Sequence, residues 1–202
     1  MTDRPKTIRA SSGGSFEELC RLLPELRVPD GYRAEIIGGK IVVWPWSERY
    51  HLPIMRLLRR ELEPHAPQGH LADYAPYLFT FPASERSYAP DVYVVDEAAF
   101  HARGRYVPGD ALSLVAELTS ASTRDNDWGD KLKMYAQNGV PVYLLLDMQE
   151  ETTTVFWTPS QNGYVSHLTL PFGEKVHIPA PFDCDIDTSA FAIPEDADED
   201  EQ

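Results

Sequence analysis

The chain has 202 residues, a formal charge of −14 and a pI near 4.7, with 43% hydrophobic and 25% charged residues. That is an ordinary composition for a soluble protein and enough chain for one domain with a real core. It excludes broad electrostatic gripping of nucleic acid and a span of roughly 20 apolar residues through a bilayer. With only Cys20 and Cys184, it also excludes a disulfide framework or thiolate metal site.

The first 14 residues are polar and lack the apolar core of a signal peptide, so a disordered N-terminus and a cytoplasmic location are expected. Ser15 and Glu18 form a capping-box pattern before Leu19, Leu22 and Leu23, predicting a short helix that Pro24 and Pro29 end. Two strands follow, Tyr32 to Ile37 and Lys40 to Trp44. Gly38-Gly39 between them supports the positive φ angles of a tight hairpin. Arg49 to Glu63 repeats Leu52, Met55, Leu58 and Leu62 at helical spacing, so that face should pack on a sheet.

Leu71 to Phe81 reads as extended. Asp91 to Val95 and Leu112 to Leu118 are apolar strands suited to burial on both faces. Asp125 to Asn138 is the clearest helix, capped by Gly139 and followed by the strand Val140 to Leu146. This strand–helix–strand order implies a right-handed crossover and a partly parallel sheet. Short strands at Thr152 to Trp157, Tyr164 to Leu170 and Lys175 to Ile178 complete a mixed α/β (α+β) core with antiparallel hairpins at both ends. No Gly-rich phosphate loop follows any strand, which excludes a doubly wound nucleotide binder. Residues 15–193 read as a single domain. The acids of 194–202 read as a disordered tail, either solubilising or competing with nucleic acid for a cleft.

Asp91 opens one apolar strand and Glu117 closes another, so their carboxylates can converge while the sheet stays intact. Mg²⁺ or Mn²⁺ asks for hard oxygen ligands and keeps several waters, so these two acids plus the Leu118 carbonyl suffice as a metal set. A turn role explains Asp91 equally well; burying Glu117 after Leu114-Val115-Ala116 is costly without a partner. On a helix whose buried face is Trp128, Leu132 and Tyr135, Lys131 lies roughly 60° from Trp128 and Lys133 roughly 140° away. Lys131 is therefore the lysine able to reach Glu117, with an ordinary ion pair to Asp127 as the alternative. Asp125, Asp127 and Asp130 suit the positive end of the helix dipole without a further role.

The succession YRAEIIGGKIVVWP, PDVYVVD, LVAELTSAST and DNDWGDKLKMYAQNGVPVYLLLD resembles the Uma-two family of restriction endonucleases, a branch of the PD-(D/E)XK nuclease superfamily. The likeness runs from Tyr32 to Phe191. It implies a restriction-endonuclease-like mixed sheet flanked by helices, with Asp91 and Glu117 as metal-binding acids. Lys131 becomes a migrated catalytic lysine, since Thr119 stands where such nucleases usually keep theirs. Glu35 matches an acid of the family's first hairpin that would complete the metal shell; an exposed strand acid beside Arg33 is the alternative reading. His51 matches a histidine at the start of the second helix, read here as a helix-start residue in preference to a catalytic base.

A Mg²⁺- or Mn²⁺-dependent endonuclease acting on DNA, as a homodimer able to cut both strands, is therefore the expected function. A catalytically inactive nuclease fold acting as a binding or regulatory module is the alternative. A glycoside hydrolase using Asp91 and Glu117 finds less support, because Tyr74, Tyr77 and Tyr88 read as strand residues rather than a sugar cleft.

Overall fold

The computed structural model describes residues 6–8, 15–45, 48–74 and 76–192. Of the first 14 residues only β1 (Lys6–Ile8) is described, pairing antiparallel along the edge of the first hairpin. The acidic tail lies outside the described residues. Helix α1 (Phe16–Leu22) starts at the expected capping box, with both the Ser15 and the Glu18 side-chain bonds formed. The α-helix ends just before Pro24, as expected, and Pro24 sits at the start of a 3-10 turn, Leu23–Glu25, where a missing N–H costs nothing. Strands β2 (Tyr32–Ile37) and β3 (Lys40–Pro45) form the predicted hairpin, with Gly38 at φ +55° and Gly39 at +68°.

Helix α2 (His51–Leu62) is rotated from its predicted face. His51, Ile54, Leu58 and Leu62 are buried, while Leu52 stays 40% exposed. Leu58 and Leu62 fitted both phases, so the apolar count alone did not distinguish them. The extended stretch after α2 divides between two sheets as β4 (His70–Asp73) and β5 (Leu78–Phe81). Next come β6 (Arg86–Tyr88), β7 (Val92–Asp96), β8 (Tyr106–Pro108) and β9 (Leu112–Leu118). A helical segment then runs as α3 (Arg124–Asn126), a π-helical turn (Asp127–Lys131) and α4 (Leu132–Gln137). Gly139 at φ +77° follows it. The chain ends in β10 (Val142–Asp147), β11 (Thr152–Ser160), β12 (Gly163–Pro171), β13 (Lys175–Ile178) and β14 (Cys184–Asp187).

The strands build one sheet in the order β1-β3-β2-β6-β5-β8, a second in the order β12-β11-β10-β9-β7-β4, and the small β13–β14 hairpin. In the second sheet β9 and β10 are parallel across the helical crossover, as the sequence order implied, whereas β7 and β9 are antiparallel. That antiparallel pairing sets the start of β7 beside the end of β9, with Val92 opposite Ala116. Side chains alternate along β9. Leu114, Ala116 and Leu118 join the core beneath α2, while Val115 joins the aromatic core of Phe79, Tyr135, Tyr143 and Phe156. Glu117 shares the parity of Val115, which aims it at α4. Burying each large apolar side chain contributes about 1.5–3 kcal/mol, and this two-faced packing fixes the register that places the acids.

Candidate active site

Asp91 lies immediately before β7 and is 4% exposed. Its Oδ2 accepts the Leu118 N–H at 2.9 Å, which locks it across to the end of β9, and its Oδ1 is 3.2 Å from Arg33 Nη1. Burial alone would raise this carboxyl. Arg33, Lys131 and the Leu118 N–H outweigh burial and hold it below the usual carboxylate range.

Glu117 is 1% exposed. Its Oε2 is 2.9 Å from Lys131 Nζ, and its Oε1 accepts the Tyr135 hydroxyl at 3.2 Å. Lys131 is equally buried and is also 2.8 Å from Asp127 Oδ1. One ammonium thus serves two carboxyl groups in a dry site. Burial, the largest cause, pushes Glu117 up to about 8 against the pull of Lys131, with Asp91 and Asp127 adding repulsion. Asp127 is raised for the same first reason. Burial opposes the Lys131 ammonium too, but Asp127, Glu117 and Glu35 hold it charged well above the lysine range.

The helix departs from its predicted face here. Asp127, Lys131 and Tyr135 turn inward, whereas Trp128 and Leu132 are only partly buried and Lys133 faces solvent. The π-helical turn inserts a residue into the helical phase, a distortion that recurs at functional sites. It puts Lys131 in the middle of the buried face rather than at its edge. The three helix acids also separate. Asp125 is exposed, Asp130 binds the Arg86 guanidinium and the Tyr88 hydroxyl, and Asp127 belongs to the buried cluster. The Asp127–Lys131 ion pair, expected as the alternative role of that lysine, forms alongside the contact with Glu117.

Glu35 is fully buried rather than an exposed strand acid. Its Oε1 accepts the Ala89 N–H at 2.9 Å, steadying the turn that carries Asp91, and its Oε2 is buried without a hydrogen-bond partner. His51 is the first residue of α2 and also fully buried. Neither ring nitrogen has a hydrogen-bond partner, and burial lowers its basicity despite the nearby Asp91. Arg33, missed as a site residue, is held strongly protonated by Asp91, Glu35 and Glu117, which overcome its burial.

Thr119 is buried and turned to other work. Its Oγ1 accepts the Met148 N–H at 2.9 Å and donates to Gln149 Oε1 at 2.7 Å, tying the end of β9 to that of β10.

Glu35, Asp91, Glu117 and Asp127 thus stand within electrostatic reach of Arg33, with Lys131 among them: four acids against two bases. Beside Asp91 and Arg33 opens a cavity of about 440 Å³, bounded by α2 and Tyr74. Among the described residues no three His, Cys, Asp or Glu side chains form a ready cage for a metal ion. The donor set nevertheless fits one hard divalent ion that keeps several waters. It offers two strand-end carboxylates, an orphaned Glu35 oxygen and a formal excess of two acids.

A mixed sheet with converging acids at its strand ends, flanked by helices, is an α+β fold of the restriction-endonuclease-like class. The chain belongs to the Uma2 family, described as "Putative restriction endonuclease", which matches residues 16–190. It is similar in fold to a crystal structure from Anabaena variabilis described as a "putative nuclease belonging to DUF820", with a TM-score of 0.65 at 17% identity. The match covers 88% of this chain and 97% of that one. No curated protein matches the chain. Among the described residues no helix is long and apolar enough to cross a membrane.

Proposed function

We propose that this protein is a Mg²⁺- or Mn²⁺-dependent endonuclease that hydrolyses phosphodiester bonds in DNA, acting in the cytoplasm as a homodimer. The observation that carries the reading is the buried cluster of Asp91, Glu117 and Lys131, with a formal excess of acids, whose Asp91 lines an open cavity. Asp91 and Glu117 would hold the ion, with the Leu118 carbonyl as a third ligand and Glu35 completing the shell. When bound there, the ion supplies Lewis acidity at the scissile phosphate and neutralises part of its charge.

The chain's own groups do the rest. Lys131 lies within ion-pair distance of Glu117 and is kept charged, so it can stabilise the negative charge that builds on the phosphate. Asp127 and Tyr135 orient Lys131 and Glu117 from the same helical segment. Glu35 fixes the Ala89–Asp91 turn. Arg33 faces the cavity beside Asp91, where it can meet a phosphate oxygen. The test is cleavage of supercoiled plasmid with Mg²⁺ or Mn²⁺, absent in EDTA and abolished in Lys131→Ala and Glu117→Gln. Intact plasmid across several divalent metals and salt concentrations would overturn the reading.

A second reading, a nuclease fold that binds or regulates without cutting, is favoured by Thr119 in the lysine's usual place and by Lys131 being held between two carboxyl groups. Calorimetric titration with Mn²⁺ separates the two, because a metal site should lose its signal in Asp91→Asn.

A further inference from the structure

Two cavities meet at Arg33. The first, of about 440 Å³, is lined by Glu48, Arg49, Leu52, Met55 and Tyr74 besides Asp91. The second, of about 340 Å³, lies on the other side, lined by Leu23, Tyr32, Leu78, Arg105 and Tyr106. Arg33, Pro76 and Ala89 belong to both walls. Both volumes fall within the roughly 300–1,000 Å³ usual for small-molecule sites. The two are built alike: a mostly apolar lining, a partly buried tyrosine face and one arginine besides the shared one.

We propose that the two cavities receive consecutive unpaired bases of a single DNA strand, with the phosphate between them lying against Arg33 beside Asp91. The proposal rests on the nuclease reading for the fate of that phosphate, but not for the binding itself. An apolar recess with an aromatic wall suits a base whose faces are free, since every base can stack on an aromatic ring. A duplex buries those faces in its own stack and presents its phosphates along a broad surface. Here the chain carries a formal charge of −14, so cationic side chains would act locally rather than over a duplex footprint. Arg49, Arg33 and Arg105 supply the local cationic contacts, in the first cavity, the dividing wall and the second cavity respectively, with Glu48 and Asp91 also lining the first.

The experiment is fluorescence anisotropy of the full chain with a labelled oligothymidylate and with a labelled duplex of equal length, both in EDTA so that cleavage plays no part. The single strand is expected to bind at least about tenfold more tightly. Tyr74→Ala, which removes a stacking face, should weaken it by about tenfold. Leu52→Glu should do likewise by placing an acid in the first cavity; Leu52 is 40% exposed, so the fold should tolerate the change. Arg105→Gln tests the second cavity in the same way. Duplex binding as tight as the single strand, or unaltered affinity in both Leu52→Glu and Arg105→Gln, overturns the proposal. Tighter binding of oligouridylate than of oligothymidylate overturns its assignment to DNA. Metal-dependent plasmid cleavage without single-strand preference sinks this proposal alone. Single-strand preference without cleavage of any substrate sinks the nuclease reading instead.

Discussion

Glu117 and Asp147 are both acids near the ends of adjacent parallel strands, and both are 1% exposed, yet their surroundings differ in kind. Asp147 is saturated with donors. Arg124 Nε lies 3.0 and 2.9 Å from its two oxygens, Arg124 Nη2 lies at 2.8 Å and Trp128 Nε1 donates at 2.8 Å. Despite the cost of burial, these bonds hold its carboxyl below the usual range. Glu117 shares its one ammonium with Asp127, faces Asp91, and is pushed up to about 8. Burial of an acid therefore does not by itself mark a reactive site. What separates the two is balance: Asp147 is a structural clasp, whereas Glu117 belongs to a cluster with more acids than bases.

The largest effect that tests this contrast is expected at Lys131. Lys131→Ala leaves Glu117 and Asp127 buried without their cation, which should destabilise the fold by about 3–5 kcal/mol near pH 8. Metal-dependent cleavage per folded molecule should fall about 10²- to 10³-fold, the usual consequence of losing a group that stabilises transition-state charge. Urea denaturation and plasmid assays on the same preparations read the two effects. A variant as stable as its parent would show that the pair contributes no net attraction.

The clasp should behave differently. Asp147→Ala orphans the Trp128 N–H, which should cost about 1–3 kcal/mol of stability. Cleavage per folded molecule should hold steady, because Asp147 touches none of Asp91, Glu117 or Lys131. A loss of rate at unchanged stability would instead place Asp147 in the reacting site and erase the distinction.

Much of this was legible in the chain. The hairpin at Gly38-Gly39, the capping box at Ser15 and the parallel crossover followed from local chemistry, because turns, caps and connection handedness depend on few residues. The meeting of Asp91, Glu117 and Lys131 followed from strand ends and helix spacing. Not all of their partners did: Arg33 was missed as a site residue, and the full burial of Glu35 was not foreseen. Arg33 and Glu35 come from another sheet, and their approach depends on how two sheets stack. Asp127 was legible as the i,i+4 partner of Lys131, whereas its place in the buried cluster was not, because the π-helical turn shifts the helical phase. The face of α2 was misplaced because Leu52 and Ile54 are equally apolar; only tertiary packing chooses between them.

The smallest effect, and the most direct comparison of the two acids, is the dependence of stability on pH. Glu117 ionises near 4.5 in an unfolded chain and near 8 in the folded one. Between those values the folded state binds a proton that the unfolded state does not, so stability falls as pH rises, by at most about 1.4 kcal/mol per unit. Asp127, also raised, adds in the same direction. Asp147 and Asp91, both lowered, give the opposite slope, and only below the ordinary carboxylate range near 3.8. Glu117→Gln should thus flatten the fall in stability between pH 5 and pH 8, while Asp147→Asn should leave that window unchanged. Urea midpoints taken at half-unit intervals decide it. Parallel profiles for the parent and Glu117→Gln would mean that Lys131 keeps Glu117 ionised in the folded state, and that the two acids are held in the same way.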